Sequence, residues 1–395
     1  MTVWIENPFD NLPPEGFRAQ RYWLMARAFA DAGHDVVYWT SNFSHSRKKY
    51  RELQHEIFGF GFKLKLVPTL EYGENVSFRR MSSHRAYASS WKKMALDYAA
   101  QNGNPDVIIV STPPVSTGSA AIFMKKVFGC VLVVDMMDAW PQTFSRILPR
   151  FLRFFAPVLF SPLYRAQRRL YRSADMVSSV CKRYEAIANA RAFMVCYHGI
   201  DLSTVSANVA RDDGRIKLVY AGGLGRTYDL ETVVKALAKI PNAVLYIAGI
   251  GGKIRSLREF AVKLGCADRL ELLGYLSAGA LAQTLANADI GIIPMREESF
   301  VGMPYKIADY SAAGLAIVSS LPGESRALIE SYGSGAFYAA DDDLSCVRAI
   351  RAVAKNISQC KIASRRMAEE CFNASKIYRR FVAFVSQLKR GGAKK

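Results

Sequence analysis

Short, unbroken apolar runs alternate with longer helical patterns along almost the whole chain, and the series occurs twice. In the first half the runs are VWIEN (3–7), DVVYWTS (35–41), KLKLV (63–67), DVIIVST (106–112), VLVVDM (131–136), DMVSSV (175–180) and FMVCY (193–197). In the second they are KLVYAG (217–222), LYIAG (245–249), LELLG (270–274), DIGIIPM (289–295) and LAIVSS (315–320). Runs this short, without polar alternation, belong to strands covered on both faces, as in a parallel sheet flanked by helices. Helical patterns fall near 18–32, 229–240, 253–264, 277–287 and 304–313, and 342–390 reads as helix throughout. Two strand–helix series predict an α/β chain of two Rossmann-like, doubly wound domains. The polar stretch 201–215 is the natural joint. It gives domains at 1–205 and 206–375, with a basic helical tail at 376–395 that can return to the first domain.

The charge narrows the partners. The 395 residues hold 53 Lys+Arg against 34 Asp+Glu, a net of +19, while half the residues are hydrophobic. That apolar content excludes a disordered polycation. The excess is spread over both halves, so it is not a tail effect. It predicts contact with phosphate: nucleic acid, an anionic membrane or a phosphorylated substrate. No helix-turn-helix or basic-aromatic module favours nucleic acid. Seven scattered cysteines form no Cys-x-x-Cys pair and no zinc-spaced cluster, which fits a reducing cytosol. The opening residues have no signal-peptide pattern, and no apolar run is long enough to span a bilayer.

Ligands of doubly wound sheets bind beyond the carboxyl ends of the strands, so the loops there carry the chemistry. In YAGGLGRTYDLETVVKAL, a strand ends at Ala221, Gly222, Gly223 and Gly225 make a turn, and a helix follows near Asp229. Free N–H groups and the helix dipole at such a turn favour phosphate, and Arg226 adds a fixed positive charge. In PMREESFVGMPYKIADYSAAGLAIVSS, a helix opens after Pro304 with Lys306 in its first turn. A cation there opposes the helix dipole unless an anion is bound. Asp309 lies one turn on, on the face shared by Tyr305 and Lys306, where it either receives ribose hydroxyls or pairs with Lys306.

These blocks, with LYIAGIGGKIRSL and RLELLGYLSAGALAQTLANADIGIIP, resemble the nucleotide-sugar domain of glycosyltransferase family 4, which has the GT-B fold. PEGFRAQRYWLMARAFADAGHDVVYWTSNFSH resembles the family's opening loop, helix and Gly-His turn. DMMDAWPQTF resembles the Asp-x-Trp-Pro signature of its bacterial surface-polysaccharide members, and YRSADMVSSVCKRY and YHGIDL resemble its inter-domain approach. The resemblance implies two domains facing a central cleft. It implies a retaining, metal-independent transfer of sugar from a nucleoside diphosphate, with no cofactor. The implied acceptor is a saccharide, often held on a polyprenyl diphosphate, in polysaccharide or lipopolysaccharide synthesis at the inner face of the cell membrane. By the same resemblance, Gly223, Arg226 and Lys306 hold the diphosphate, Asp309 the donor ribose, and Gly249 with Leu273–Gly274–Tyr275 borders the base. Gly16 closes on the donor phosphate, and Asp138 falls near the family's catalytic-site histidine. The chain departs from the family at three points. Glu298 and Asp309 are eleven residues apart where the paired family glutamates are eight apart, the usual lysine after the phosphate-loop arginine is absent since Thr227-Tyr228-Asp229 follows Arg226, and His198 replaces an asparagine.

Charge development on the departing β-phosphate calls for preorganised donors, a role suited to Arg226, Lys306 and two helix N-termini. Asp138 either orients or polarises the acceptor hydroxyl, or serves as a helix N-cap or a structural carboxylate after a strand. Asp341–Asp343 reads as a helix cap rather than a metal site. Residues 150–172 combine aromatic and aliphatic side chains with six arginines, a pattern suited to an anionic membrane surface. Pro157 and Pro162 keep it from being one long helix. Two alternatives share the fold: a non-catalytic nucleotide-sugar-binding partner of another transferase, and a nucleotide-sugar 2-epimerase.

Overall fold

The apolar runs become strands shielded on both faces. In Thr2–Glu6 and Val107–Thr112 every residue but Thr2 is buried. The computed structural model describes residues 1–205, 213–225 and 227–392. Residues 206–212 of the expected joint, and Arg226, lie outside the described residues.

In chain order the first half runs β1 (Thr2–Glu6), α1 (Arg21–Asp31), β2 (Asp35–Ser41), β3 (Phe43–Ser44), β4 (Lys49–Tyr50), β5 (Glu56–Ile57), β6 (Lys63–Val67), α2 (Phe78–Asn102), β7 (Val107–Thr112), α3 (Thr117–Phe128), β8 (Val131–Met136), α4 (Ala156–Leu159), α5 (Ser161–Ser173), β9 (Met176–Ser179), α6 (Glu185–Ala188) and β10 (Phe193–Val195). The second half runs β11 (Ile216–Ala221), α7 (Leu230–Ala238), β12 (Ala243–Ala248), α8 (Ile254–Lys263), β13 (Leu270–Gly274), α9 (Ala278–Ala286), β14 (Ile290–Ile293), α10 (Tyr305–Ala312), β15 (Ala316–Ser319), α11 (Glu324–Tyr332), β16 (Gly335–Phe337), α12 (Asp343–Lys355), α13 (Ile357–Met367) and α14 (Ala374–Gly392).

The first sheet has the order β10-β9-β8-β7-β1-β2-β6-β5, parallel except for β5 at its edge. The second has the order β13-β12-β11-β14-β15-β16 and is parallel throughout. In both sheets the order reverses beside the first strand, between β1 and β7 and between β11 and β14. Such a reversal parts the loops at the carboxyl ends of the strands and opens a crevice.

Met1–Gly199 and the segment from Ser375 form one unit, and Ile200–Ala374 forms the other. The junctions thus differ from the expected 205/206 and 375/376. Contacts of α14 give the reason. The Gly199 N–H donates to the Tyr378 hydroxyl (3.3 Å), Phe381 packs edge-on against Phe29, and Lys389 pairs with Asp106 (3.0 Å).

The expected continuous helix over 342–390 is interrupted. After a π-helical turn, Ala368–Phe372, Asn373 is extended (φ −68°, ψ 111°) and bridges Ile200. Ile200 N–H donates to Phe372 O (2.7 Å) and Ala374 N–H to Ile200 O (2.9 Å), so these backbone groups bond to the incoming chain instead of to a helix. Residues 150–172 break as their prolines require: a 3₁₀ helix, Arg150–Phe155, precedes α4 and α5, each with Pro in its first turn.

Candidate functional site

In the second unit the loops after β11 and β14 flank the crevice. Gly222 follows β11 with φ +139°, a conformation that L side chains rarely adopt. Its N–H donates to Ala248 O (2.8 Å), and a Cβ at this position would stand 2.5 Å from the Lys306 ammonium. Gly249 closes the other side of the turn: a Cβ there would stand 1.9 Å from Gly222 O. The Gly249 N–H in turn donates to Gly274 O (2.7 Å), between Leu273 and the exposed Tyr275 in the chain.

Lys306 is the second residue of α10, whose N-cap, Pro304, provides no side-chain cap. The ammonium donates to the Tyr228 hydroxyl (3.2 Å) and lies 4.4 Å and 5.0 Å from the ring centres of Tyr228 and Tyr220. Tyr220 donates to Gly223 O (2.7 Å), and the buried Tyr310 hydroxyl accepts from Ala221 N–H (2.9 Å). Burial pushes both phenols well up from their ordinary range, so both keep their protons at neutral pH. The pairing of Lys306 with Asp309 left open by the sequence is not formed. The ammonium points to the glycine turn, and no carboxylate among the described residues pairs with it. A cation is thus held in the first turn of a helix, against the dipole, with aromatic faces and a hydroxyl as its neighbours.

One expectation is corrected here. Helix α7 does not offer an open N-terminus to an anion, because Asp229 caps it through Thr232 N–H (3.4 Å). Arg296 lies 3.6 Å from the Asp229 carboxylate, and 3.3 Å from those of Glu231 and Asp341. The start of α7 therefore already carries negative charge. Of the two helix N-termini expected to face phosphate, α10 alone is left without a side-chain cap.

This arrangement bears on comparison with known proteins. The family model described as "Glycosyl transferase 4-like domain" matches residues 19–194, and "Glycosyl transferases group 1" matches residues 215–356. The chain belongs to the family 4-like glycosyltransferases. No curated protein matches the sequence. Among solved structures, sucrose-phosphate synthase from Thermosynechococcus elongatus superposes with a TM-score of 0.76 at 14% identity, covering 99% of both chains. The Anabaena protein HepE in complex with UDP and glucose gives 0.67 at 12% identity, over 98% of this chain and 100% of its own. WaaG, a glycosyltransferase involved in lipopolysaccharide biosynthesis, gives 0.66 at 12% identity, over 97% and 99%. With the two parallel sheets, these likenesses give this glycosyltransferase the GT-B fold.

In the glycosyltransferase's second unit, Gly223 follows β11, Gly249 follows β12, Leu273 lies in β13 with Tyr275 just after it, and Tyr305, Lys306 and Asp309 lie in α10; the contacts above bring the Gly222 turn, Gly249 and Lys306 together. Glu298 is exposed on the loop between β14 and α10. The remaining two candidates belong to the first unit. Gly16 (φ 82°) ends the 3₁₀ turn Pro13–Glu15. Asp138 is exposed in the loop after β8 and caps no helix, since the next one starts from Pro141 without a side-chain cap. Protein crowding around its carboxyl raises its pKa, and the Arg80 guanidinium opposes that rise. Asp342 caps α12 through Ser345 N–H (2.8 Å), as its position implied. Sequence reasoning missed Tyr220, Tyr228 and Tyr310. Tyr228 had a signal, an aromatic hydroxyl two residues after Arg226, whereas the other two read simply as core.

Proposed function

We propose that this glycosyltransferase moves a sugar, with retention of anomeric configuration and without a metal, from a nucleoside-diphosphate donor to a saccharide acceptor. The observation that carries the donor reading is the Lys306 ammonium, held over the Gly222 turn without a carboxylate partner among the described residues. The UDP and UDP-glucose complexes of HepE support the same donor class. Departure of the diphosphate leaves charge on its β-phosphate. Lys306, and the N–H groups of a turn that Gly222 and Gly249 hold open, would meet that charge without reorganisation. The leaving phosphate itself would take the acceptor proton on the front face of the sugar, and Asp138 would orient the acceptor hydroxyl. Asp309 would receive the donor ribose, while Gly249, Leu273 and Tyr275 border the base. A screen of UDP-, GDP- and dTDP-sugars for donor hydrolysis, with the product anomer read by NMR, tests this. No turnover or binding of any of them, or an inverted product, refutes it.

We further propose a lipid-linked acceptor and docking at the inner face of the cell membrane, as in surface-polysaccharide or lipopolysaccharide assembly. Phe151, Leu152, Phe154, Phe155, Val158 and Leu159 are all exposed, with Phe154 86% accessible. Arg165, Arg168, Arg169 and Arg172 stand exposed on α5, and no acidic residue occurs between Asp138 and Asp175. Apolar tips beside exposed arginines match an acyl–headgroup boundary of anionic lipid. No helix among the described residues is long and apolar enough to cross a membrane. Changing Phe151 and Phe154 to Ser should weaken binding to anionic vesicles by about 10- to 100-fold. Neutralising Arg168 and Arg169 should cost about tenfold or more and flatten the salt dependence. Sedimentation showing equal binding by both variants and the wild type would remove the membrane claim.

A further inference from the structure

A second cationic cluster lies in the first unit. Lys48, in the turn between β3 and β4, donates to the Asn75 side-chain oxygen (2.6 Å), and its ammonium stands 4.6 Å over the Tyr72 ring. Arg80, in the first turn of α2, donates to the Asn75 backbone oxygen (2.7 Å). Its guanidinium lies 5.5, 5.9 and 5.0 Å from the rings of Phe9, Tyr72 and Trp140. Two cations from separate elements therefore share one asparagine and one tyrosine. Two histidines complete the group. His45 Nδ1 is 2.6 Å from the Tyr72 hydroxyl and 3.3 Å from the Lys48 ammonium, and His84 Nε2 accepts from Arg80 Nε (3.3 Å).

Neighbouring cations are handled differently. Arg51 pairs with Glu15, and Arg47 donates to Glu15 O (2.7 Å). Neither Lys48 nor Arg80 has a carboxylate within ion-pair distance among the described residues. The field of the Asp138 carboxylate reaches Arg80. Burial and the facing charges of Arg80 and Lys48 hold His45 at about 3. Burial, Arg80 and His45 hold His84 at about 3, and burial with Arg80 brings Lys48 down to about 8. Arg80 also sits in the first turn of α2, where the dipole opposes a cation. The mutual repulsion of these cations and the opposing dipole would both be offset by one event, the arrival of an anion. Beside the cluster, at the reversal of the first sheet, runs a narrow recess lined by Phe9, Ser41, Thr69, Tyr72, Ser83 and His84.

We propose that Lys48 and Arg80, with His45 and His84 beside them, form a phosphoryl-binding subsite in the first unit, so that the acceptor presents a phosphate there. The acceptor assignment rests on the glycosyl-transfer reading above. A phosphoryl group suits the site better than a carboxylate, because its several oxygens can meet a guanidinium fork and an ammonium together.

The test is NMR of the His45 and His84 imidazoles in the full chain, with inorganic pyrophosphate as the probe. Pyrophosphate should shift both rings and raise the pH at which they titrate. Lys48→Gln and Arg80→Gln should each weaken its affinity by about tenfold or more. Arg80→Lys keeps the charge without the fork and should lose less, which guards against a variant that merely misfolds. Lys306→Gln should leave the histidine response intact. Glucose 1-phosphate and vesicle-borne phosphatidic acid, run separately, tell a free phosphorylated sugar from a lipid phosphate; a response to either supports the subsite. Silent histidines at millimolar pyrophosphate, a response lost only in Lys306→Gln, or a stronger response to glucuronate than to phosphate would overturn it. Nucleoside-diphosphate binding is measured in parallel. Silent histidines with intact diphosphate binding sink the subsite alone, whereas absent diphosphate binding sinks the transfer reading.

Discussion

Replacing Lys306 by Gln should lower kcat/KM for the sugar donor by about 100- to 1000-fold, the loss seen when one preorganised donor to a developing anion is removed. Ground-state affinity for the free nucleoside diphosphate should fall less, by about tenfold, since one charge-assisted contact is lost. The difference between the two losses is the informative quantity. An ammonium that merely attracts phosphate would lower binding and turnover equally. One aimed at the β-phosphate as charge builds on it lowers turnover more. The fold should survive, because the ammonium is held by a tyrosine hydroxyl and two ring faces and anchors no other element. Gly249→Ala tests the same site from the other side. Its methyl group would stand 1.9 Å from Gly222 O, so the turn must move off Lys306. That variant should lose donor binding with Lys306 untouched. Calorimetry showing wild-type affinity for UDP, GDP and dTDP in both variants would remove the donor site from this rim.

How far the sequence reached depends on what each feature is made of. The strands were legible because burial on both faces writes itself as an unbroken apolar run, and all five such runs of the second half lie in its sheet. Lys306 was legible because a cation in the first turn of a helix is an anomaly that local physics flags. The interruption at Asn373 was not, since nothing in its neighbours breaks a helix, and its cause is a backbone bridge to Ile200, far off in the chain. The cap on α7 was open to misreading in another way. Asp229 was visible, but whether a carboxylate guards a helix end or leaves it to a ligand depends on its rotamer and on Arg296, which arrives from another strand's loop. Arg226 lies outside the described residues, so its part in the site rests on the resemblance.

The largest loss of stability should come from a residue pair that charge counting hides. Arg21 and Asp135 are both wholly buried in the first unit. Two guanidinium N–H groups reach the two carboxylate oxygens at 2.7 Å each, and a third bonds to Cys196 O (2.7 Å) and Tyr197 O (2.9 Å). The Tyr22 hydroxyl (2.7 Å) and the Ser178 hydroxyl (2.6 Å) fill the remaining positions on the carboxylate. The network ties the start of α1 to β8, to β9 and to the chain leaving β10. Removing one partner of such a pair strands the other charge away from water. Asp135→Ala should therefore cost about 3–5 kcal/mol, whereas Arg21→Met with Asp135→Leu should recover much of that loss. All five tryptophans, at 4, 23, 39, 91 and 140, lie in this unit, so their fluorescence during denaturant unfolding reports on it alone. Equal stability of Asp135→Ala and the wild type would mean that the pair is a passenger of the fold. A double variant no better than the single one would mean instead that the hydrogen bonds to Cys196 and Tyr197, rather than charge pairing, hold α1 against the sheet.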